Sequence, residues 1–271
     1  MMETIDISIE SLLLGLFLMA IPVYYLWRYK TGLVHGTLTA LARMVIQLFL
    51  VGLYLKYLFI WDNPWLNAAW VVIMVYVATE TALTRTKLKR SLMMIPIMVG
   101  FVVGAVVVGF YFLGVVLHLD NVFSVQYFIP IFGILMGNML GVSVIALNTF
   151  YSHLRRESTF YYYMLGNGAT VTEAVSPFVK QALLRAFSPA IANMAVMGLV
   201  ALPGTMIGQI LGGSTPDVAI KYQMMINEIT ISASMLSIAV TLNLVRRVAF
   251  DVDGCIKNVM REKTRANKSK I

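Results

Sequence analysis

The chain has 271 residues, 59% of them hydrophobic and 13% charged, with a formal net charge of +8. Soluble domains carry roughly 25% charged residues, so this composition excludes an ordinary soluble domain and indicates a polytopic membrane protein. The single cysteine, Cys255, excludes an internal disulfide framework.

Residues 1–10 hold Glu3, Asp6 and Glu10 and no basic residue, unlike the positive start of a secretory leader. Seven spans are expected. The first covers residues 7–27 and closes on Tyr24, Tyr25, Trp27, Arg28, Tyr29 and Lys30, an aromatic belt with a basic stop. The second covers 38–60, with Arg43 and Gln47 near its start. Trp61-Asp62-Asn63-Pro64-Trp65 then reads as a tight outer turn, with Asn as cap and Pro opening the third span at 64–83. A basic loop with Arg85, Lys87, Lys89 and Arg90 precedes the fourth span at 92–117. The fifth covers 127–150, the sixth 189–211 and the seventh 222–245. Of the 21 Lys and Arg, 19 fall in segments on one side, leaving Lys56 and Lys221 on the other. By the positive-inside rule this puts the N-terminus outside and the C-terminus in the cytosol, and it accounts for the net charge without nucleic acid. The whole chain, 1–271, thus reads as one transmembrane domain with a polar cytosolic segment at 151–188. A basic cytosolic tail follows at 246–271, and its last stretch, KTRANKSKI at 263–271, reads as frayed or bound to headgroups.

The polar segment has its own punctuation. Gly166-Asn167-Gly168 stops a helix, Thr170-x-x-Glu173 matches a capping box, and Ser176-Pro177 reads as a further restart. Beyond it, Phe178, Ala182 and Ala186 share one face, and Lys180, Gln181, Arg185 and Ser188 another. A short helix, a break and an amphipathic helix suit a headgroup-level loop or a docking surface for a cytosolic partner.

Inside the spans, Gly133, Gly137 and Gly141 in the fifth and Gly204, Gly208 and Gly212 in the sixth form GxxxGxxxG stripes, with a shorter Gly100/Gly104 pair in the fourth. Such stripes serve packing within one subunit or a seam between two. Pro203-Gly204 predicts a break in the sixth span. On the seventh, Gln223, Asn227, Thr230, Ser234, Ser237 and Thr241 recur at helical spacing, with Glu228 beside them. These groups either hydrogen-bond between helices or line a polar route. Glu228 lies near the expected level of Gln209, so carbonyls freed at the break, one carboxylate and amides could form a weak hard-oxygen cation path. Arg43 and Glu80, on neighbouring spans, suggest an ion pair. The 18 methionines admit a soft-metal path, but His35, His118 and His153 are scattered. There is no GxxxxGK[ST] phosphate loop and no HExxH, so no catalytic role is read here.

Two strings, LGNGATVTEAV at 165–175 and VALPGTMIGQILGGSTPDVAIKYQMMI at 200–226, resemble the FetB/YbbM-type permeases of bacterial ABC systems implicated in iron export, with relatives among plant aluminium-tolerance permeases. ARMVIQLFLVG at 42–52 and PIFGILMGNMLGVSVIALN at 130–148 agree. The resemblance implies an all-α permease in the bacterial inner membrane, paired as a homodimer with a separate ABC ATPase that binds the ATP. It also implies that Leu165, Gly166, Asn167, Gly168, Thr170, Glu173 and Ala174 engage that ATPase. The EAA-x3-G pattern of importer permeases is kept only in Glu173-Ala174. A permease for another small hydrophilic solute, or a non-transporting scaffold or sensor, fits the same residue pattern.

Overall fold

The computed structural model describes residues 8–251, 254–257 and 259, and every regular element among them is a helix. The expected features at Glu3, Asp6 and residues 260–271 lie outside the described residues. The helices are α1 (Ile9–Phe17), α2 (Ala20–Arg28), α3 (Val34–Trp61), α4 (Pro64–Thr86), α5 (Arg90–Phe110), α6 (Val125–Arg156), α7 (Ser158–Gly166), α8 (Val171–Val196), α9 (Gly204–Leu211) and α10 (Pro216–Ala249). α5 runs on as a π-helical turn, Tyr111–Val116. The turn before α4 forms as its residues dictate: Asn63 Oδ1 accepts from the Trp65 N–H at 3.0 Å and Pro64 occupies the first turn.

Among the described residues six stretches are long and apolar enough to cross a bilayer: Ile9–Arg28, Val34–Trp61, Pro64–Thr86, Arg90–Val116, Val125–Arg156 and Pro216–Ala249. About 20 apolar residues suffice for that. The expected sixth span at 189–211 is not one helix. α8 passes through Pro189 to Val196, the chain breaks over residues 197–203, and α9 starts at Gly204 with Pro203 as its cap. Gly198, at φ +87°, makes the turn that no L-residue would adopt cheaply. The pair still traverses the bundle. Thr172, at the start of α8, shares a cavity with Asn243 and Arg246 at the basic end of α10. Thr205 and Gln209 of α9 line another with Gln126 and Tyr127 of α6 and Tyr222 of α10 at the far end. Among the described residues the six apolar stretches and the broken α8–α9 pair are thus seven candidate traversals.

A second expectation is also corrected: Ser176-Pro177 does not restart the chain, because α8 is continuous from Val171. Ala174, Val175, Phe178, Ala182, Ala186 and Phe187 are buried on one face, so packing holds a single register through the proline. Pro177 costs one main-chain hydrogen bond near the helix start, which burial of that face offsets.

α5 and α10 make the most extensive pairing, and α6 packs against α4, α8 and α10. The α5–α10 approach is set by two glycines. A Cβ on Gly100 would lie 2.7 Å from the Ser237 carbonyl oxygen, and one on Gly104 2.7 Å from that of Ala233. At the far end Phe110, Phe123, Phe128 and Phe132 form an aromatic cluster, with Phe128 and Phe132 ring centres 4.5 Å apart. By contrast α1 and α2 bury no residue and α3 buries only Leu58, so the chain up to Trp61 lies at the bundle's edge.

The described part of the tail, up to residue 259, is docked, and the stretch expected to fray, 263–271, lies outside the described residues. Beyond α10 the chain turns back on itself: the Lys257 N–H donates to the Ala249 carbonyl at 2.9 Å and the Asp251 N–H to the Cys255 carbonyl at 3.0 Å.

Candidate functional site

The elbow between α7 and α8 is built from both sides. On the α7 side, the Gly168 N–H donates to the Leu165 carbonyl at 3.0 Å and the Ala169 N–H to the Met164 carbonyl at 3.1 Å. Asn167 Nδ2 reaches back to the Tyr163 carbonyl at 2.7 Å, and Gly168 takes φ +88°. These are the carbonyls a helix end leaves unpaired. On the α8 side the capping box is complete. The Glu173 N–H donates to Thr170 Oγ1 at 3.3 Å, while Glu173 Oε2 accepts from the Thr170 N–H and hydroxyl, both at 2.8 Å. Accepting those two bonds holds the Glu173 carboxyl below its ordinary pKa. Ala174 is fully buried, whereas Gly166, Asn167, Gly168, Thr170 and Glu173 are exposed and Leu165 is half-buried. The result is a rigid polar knuckle at the basic end of the bundle.

The polar stripe of α10 turns inward. Gln223, Thr230, Ser234, Ser237 and Thr241 are buried, and Asn227 is half-buried. Thr230 and Ser234 spend their hydroxyls on their own helix, donating to the carbonyls of Asn227 at 2.9 Å and Thr230 at 2.7 Å. Ser237 and Thr241 pack onto the glycine seam of α5, and their hydroxyls and that of Ser143 have no protein partner among the described residues. Gln223 accepts from the Thr205 hydroxyl, which ties α9 to α10.

Glu228 lies on a different face, open to the outside of the single chain, together with Met224, Ser232, Met235, Ala239 and Asn243. This second stripe escaped the sequence reading because only Glu228 and Asn243 in it are strongly polar. Its signal was the same helical spacing, offset by one residue from the hydroxyl stripe. Toward the basic end it faces α8 across a cavity of about 250 Å3 lined by Thr172, Ser176, Val179 and Leu183. At the far end a cavity of about 560 Å3 gathers neutral oxygen donors, namely Gln126, Tyr127, Gln209, Tyr222, Thr205 and Ser214.

The glycine stripes separate in the same way. Gly137, Gly141, Gly204 and Gly208 have nothing within 4 Å of where a Cβ would stand; Gly133 meets only Met74, at 3.5 Å, and Gly212 only carbonyls of its own turn. The close approach inside the chain falls to Gly100 and Gly104 instead. The expected ion pair also changes partner. Glu80 Oε1 lies 2.9 Å from Arg90 Nε, and Arg90 Nη2 donates to the Tyr76 hydroxyl at 2.8 Å. Arg43 lines the same cleft with Gln47 but is not the cation paired with Glu80. Among the described residues no group of three or more His, Cys, Asp or Glu is placed to hold a metal.

A match to the family described as "Uncharacterised protein family (UPF0014)" covers residues 9–250. A protein named "Probable iron export permease protein FetB" of Escherichia coli is 29% identical over 91% of this chain and 93% of its own length. "UPF0014 membrane protein YjkA" of Bacillus subtilis is 26% identical over 84% and 89%. "Protein ALUMINUM SENSITIVE 3" of Arabidopsis thaliana is 30% identical over 73% and 71%. No solved structure matches the chain significantly.

Proposed function

The chain belongs to the UPF0014 family, and from that premise we propose that it is the membrane-spanning permease subunit of an ABC-type transporter exporting a hard metal cation, iron. ATP is bound by a separate cytosolic ATPase, and the permease works as a homodimer in a bacterial plasma membrane. The observation that carries this reading is the elbow. It is capped on both sides, mostly exposed and set at the basic end, which the positive-inside rule assigns to the cytosol. The printed name of the FetB relative supports the cargo.

The homodimer is supported by what the single chain leaves open. Residues 197–203 are not helical, lie between α8 and the deep start of α9, and expose Leu199 and Val200 at 90% and 83%. Irregular backbone at membrane depth is tolerated against protein or a water-filled route but not against lipid. The unfilled glycine stripes of α6 and α9 suit close approach by a second copy. The route itself follows the open face of α10, with Glu228 as its one carboxylate. A single carboxylate among neutral donors binds a cation weakly enough to release it.

A second reading is favoured by the far-end cavity, whose amides, hydroxyls and phenols are uncharged and equally suit a small neutral solute. The purified complex in liposomes separates the two. Export of iron predicts metal-stimulated ATP hydrolysis, and Glu228→Gln, which removes the carboxylate charge from the route, should lower that stimulation about tenfold while leaving ATPase association intact. Stimulation by neutral solutes alone sinks the metal cargo. Topology has its own check: a tag before Ser8 should be labelled from outside intact cells and one after Val259 only after permeabilisation. The reverse pattern overturns the orientation.

A further inference from the structure

We propose that residues 249–251, 254–257 and 259 form a clasp that fixes the α7–α8 elbow to the end of α10, with the Tyr161 hydroxyl to Gly254 carbonyl bond as its positioning contact, so that movement of the elbow is passed to α10. This rests on the elbow being the ATPase contact.

The clasp is assembled from both of its partners. Tyr161, on α7, is fully buried, and its hydroxyl donates to the Gly254 carbonyl at 2.7 Å. Its ring lies 5.6 Å from that of Phe250. Gly254 has φ +73°, and a Cβ there would stand 3.1 Å from Leu165 Cδ1 and 3.4 Å from Val171 Cγ2. Those two residues are the last turn of α7 and the first residue of α8. Gly254 thus sits against both arms of the elbow at once, in a conformation and a space that only glycine fits well. The neighbouring Ile256 N–H donates to the Tyr162 hydroxyl at 3.4 Å.

The other end is anchored as firmly. Phe250 bridges to Ile256, and the Lys257 N–H bonds to the carbonyl of Ala249, the last residue of α10. The Lys89 N–H, in the turn between α4 and α5, donates to the Val259 carbonyl at 2.8 Å. α10 in turn meets α5 at Gly100 and Gly104, where the α10 backbone carbonyls of Ser237 and Ala233 come up against the α5 backbone directly. Close-packed contacts of this kind transmit displacement rather than absorb it. Burial, aided by Tyr162 and Cys255, pushes the Tyr161 pKa up to about 12, so the phenol remains a donor at neutral pH.

The test uses the full permease with its ATPase in proteoliposomes and reads cargo moved per ATP hydrolysed. Tyr161→Phe removes one oxygen and keeps the ring; Gly254→Ala adds a methyl against Leu165. Each should leave ATPase association and ATP hydrolysis near the parent level and lower transport per ATP about fivefold, the scale of one buried hydrogen bond. An unchanged ratio in both overturns the clasp. So does loss of ATPase association, which would make the contact a support for the elbow's shape, and so does failure of both variants to accumulate. An elbow variant assayed alongside separates the two readings. If Glu173→Pro keeps its ATPase, the elbow is not the contact; if it loses the ATPase while Tyr161→Phe transports normally, only the clasp fails.

Discussion

Membranes carrying Gly104→Val are expected to hold little folded permease. A Cβ at this position would meet the Ala233 carbonyl oxygen at 2.7 Å, the Met139 sulfur at 2.9 Å and Ser237 Cβ at 3.0 Å. Met139 can swing aside, but the carbonyl belongs to the middle of α10 and moves only if the two helices part. Overpacking of a rigid core costs typically about 1–3 kcal/mol, and a backbone obstacle puts this case at the upper end or beyond. Separating α5 from α10 also strips cover from Ser237 and Thr241, whose hydroxyls then meet lipid. The measurement is the melting temperature of the detergent-purified chain beside Gly137→Val. Gly137 has open space, so that variant should melt like the parent as a single chain. A Gly104→Val melting point within about 2 °C of the parent, a shift of no more than about 1 kcal/mol, would show that the seam yields.

Glu173→Pro is expected to leave the bundle intact and to cost most of the ATPase association. The substitution removes the N–H that bonds Thr170 Oγ1 and the carboxylate that accepts from Thr170 twice. Proline is sterically admissible in a helix's first turn, so α8 itself persists beyond the change. Loss of an N-cap costs about 0.5–2 kcal/mol, which corresponds to roughly tenfold weaker binding where the elbow's shape is the binding surface. Co-purification of ATPase with the variant at the parental ratio would refute the docking role. The same cap has a pH signature. Its carboxylate has a lowered folded pKa, so its stabilisation is fully present above the ordinary carboxylate range and is lost as pH falls through the lowered value. Association should be flat around neutrality and weaken only in acid.

Much of this was legible in local chemistry. The turn at Asn63-Pro64, the stop at Gly166–Gly168, the Thr170–Glu173 box and the break at Pro203-Gly204 all depend on neighbours a few residues apart, and each formed as read. What failed depended on distant partners. Pro177 and Pro189 look like helix starts, yet the apolar face from Ala174 to Phe187 carries one helix through both. Helical spacing grouped the hydroxyls of α10 on one face but could not say that α5 glycines cover it, leaving Glu228 open. Arg43 and Glu80 sit on adjacent helices at matching depth, but Arg90 lies nearer the carboxylate. The tail's composition reads as a solvated basic run, and nothing local announces that Gly254 fits beneath Tyr161.

The pairing of α5 with α10 also sets a schedule for biogenesis. Gly100 and its neighbour Thr241 are about 140 residues apart, and synthesis at about 5–20 residues per second separates them by roughly 7–30 s. Throughout that interval α5 is already in the bilayer with its glycine groove vacant, while α4 and α6 close around its other sides. α10, emerging later, must then slide into a slot between established neighbours, bringing its buried hydroxyls with it. Such a chain favours fast translation after residue 156, or an insertase that keeps the slot free of lipid until α10 arrives.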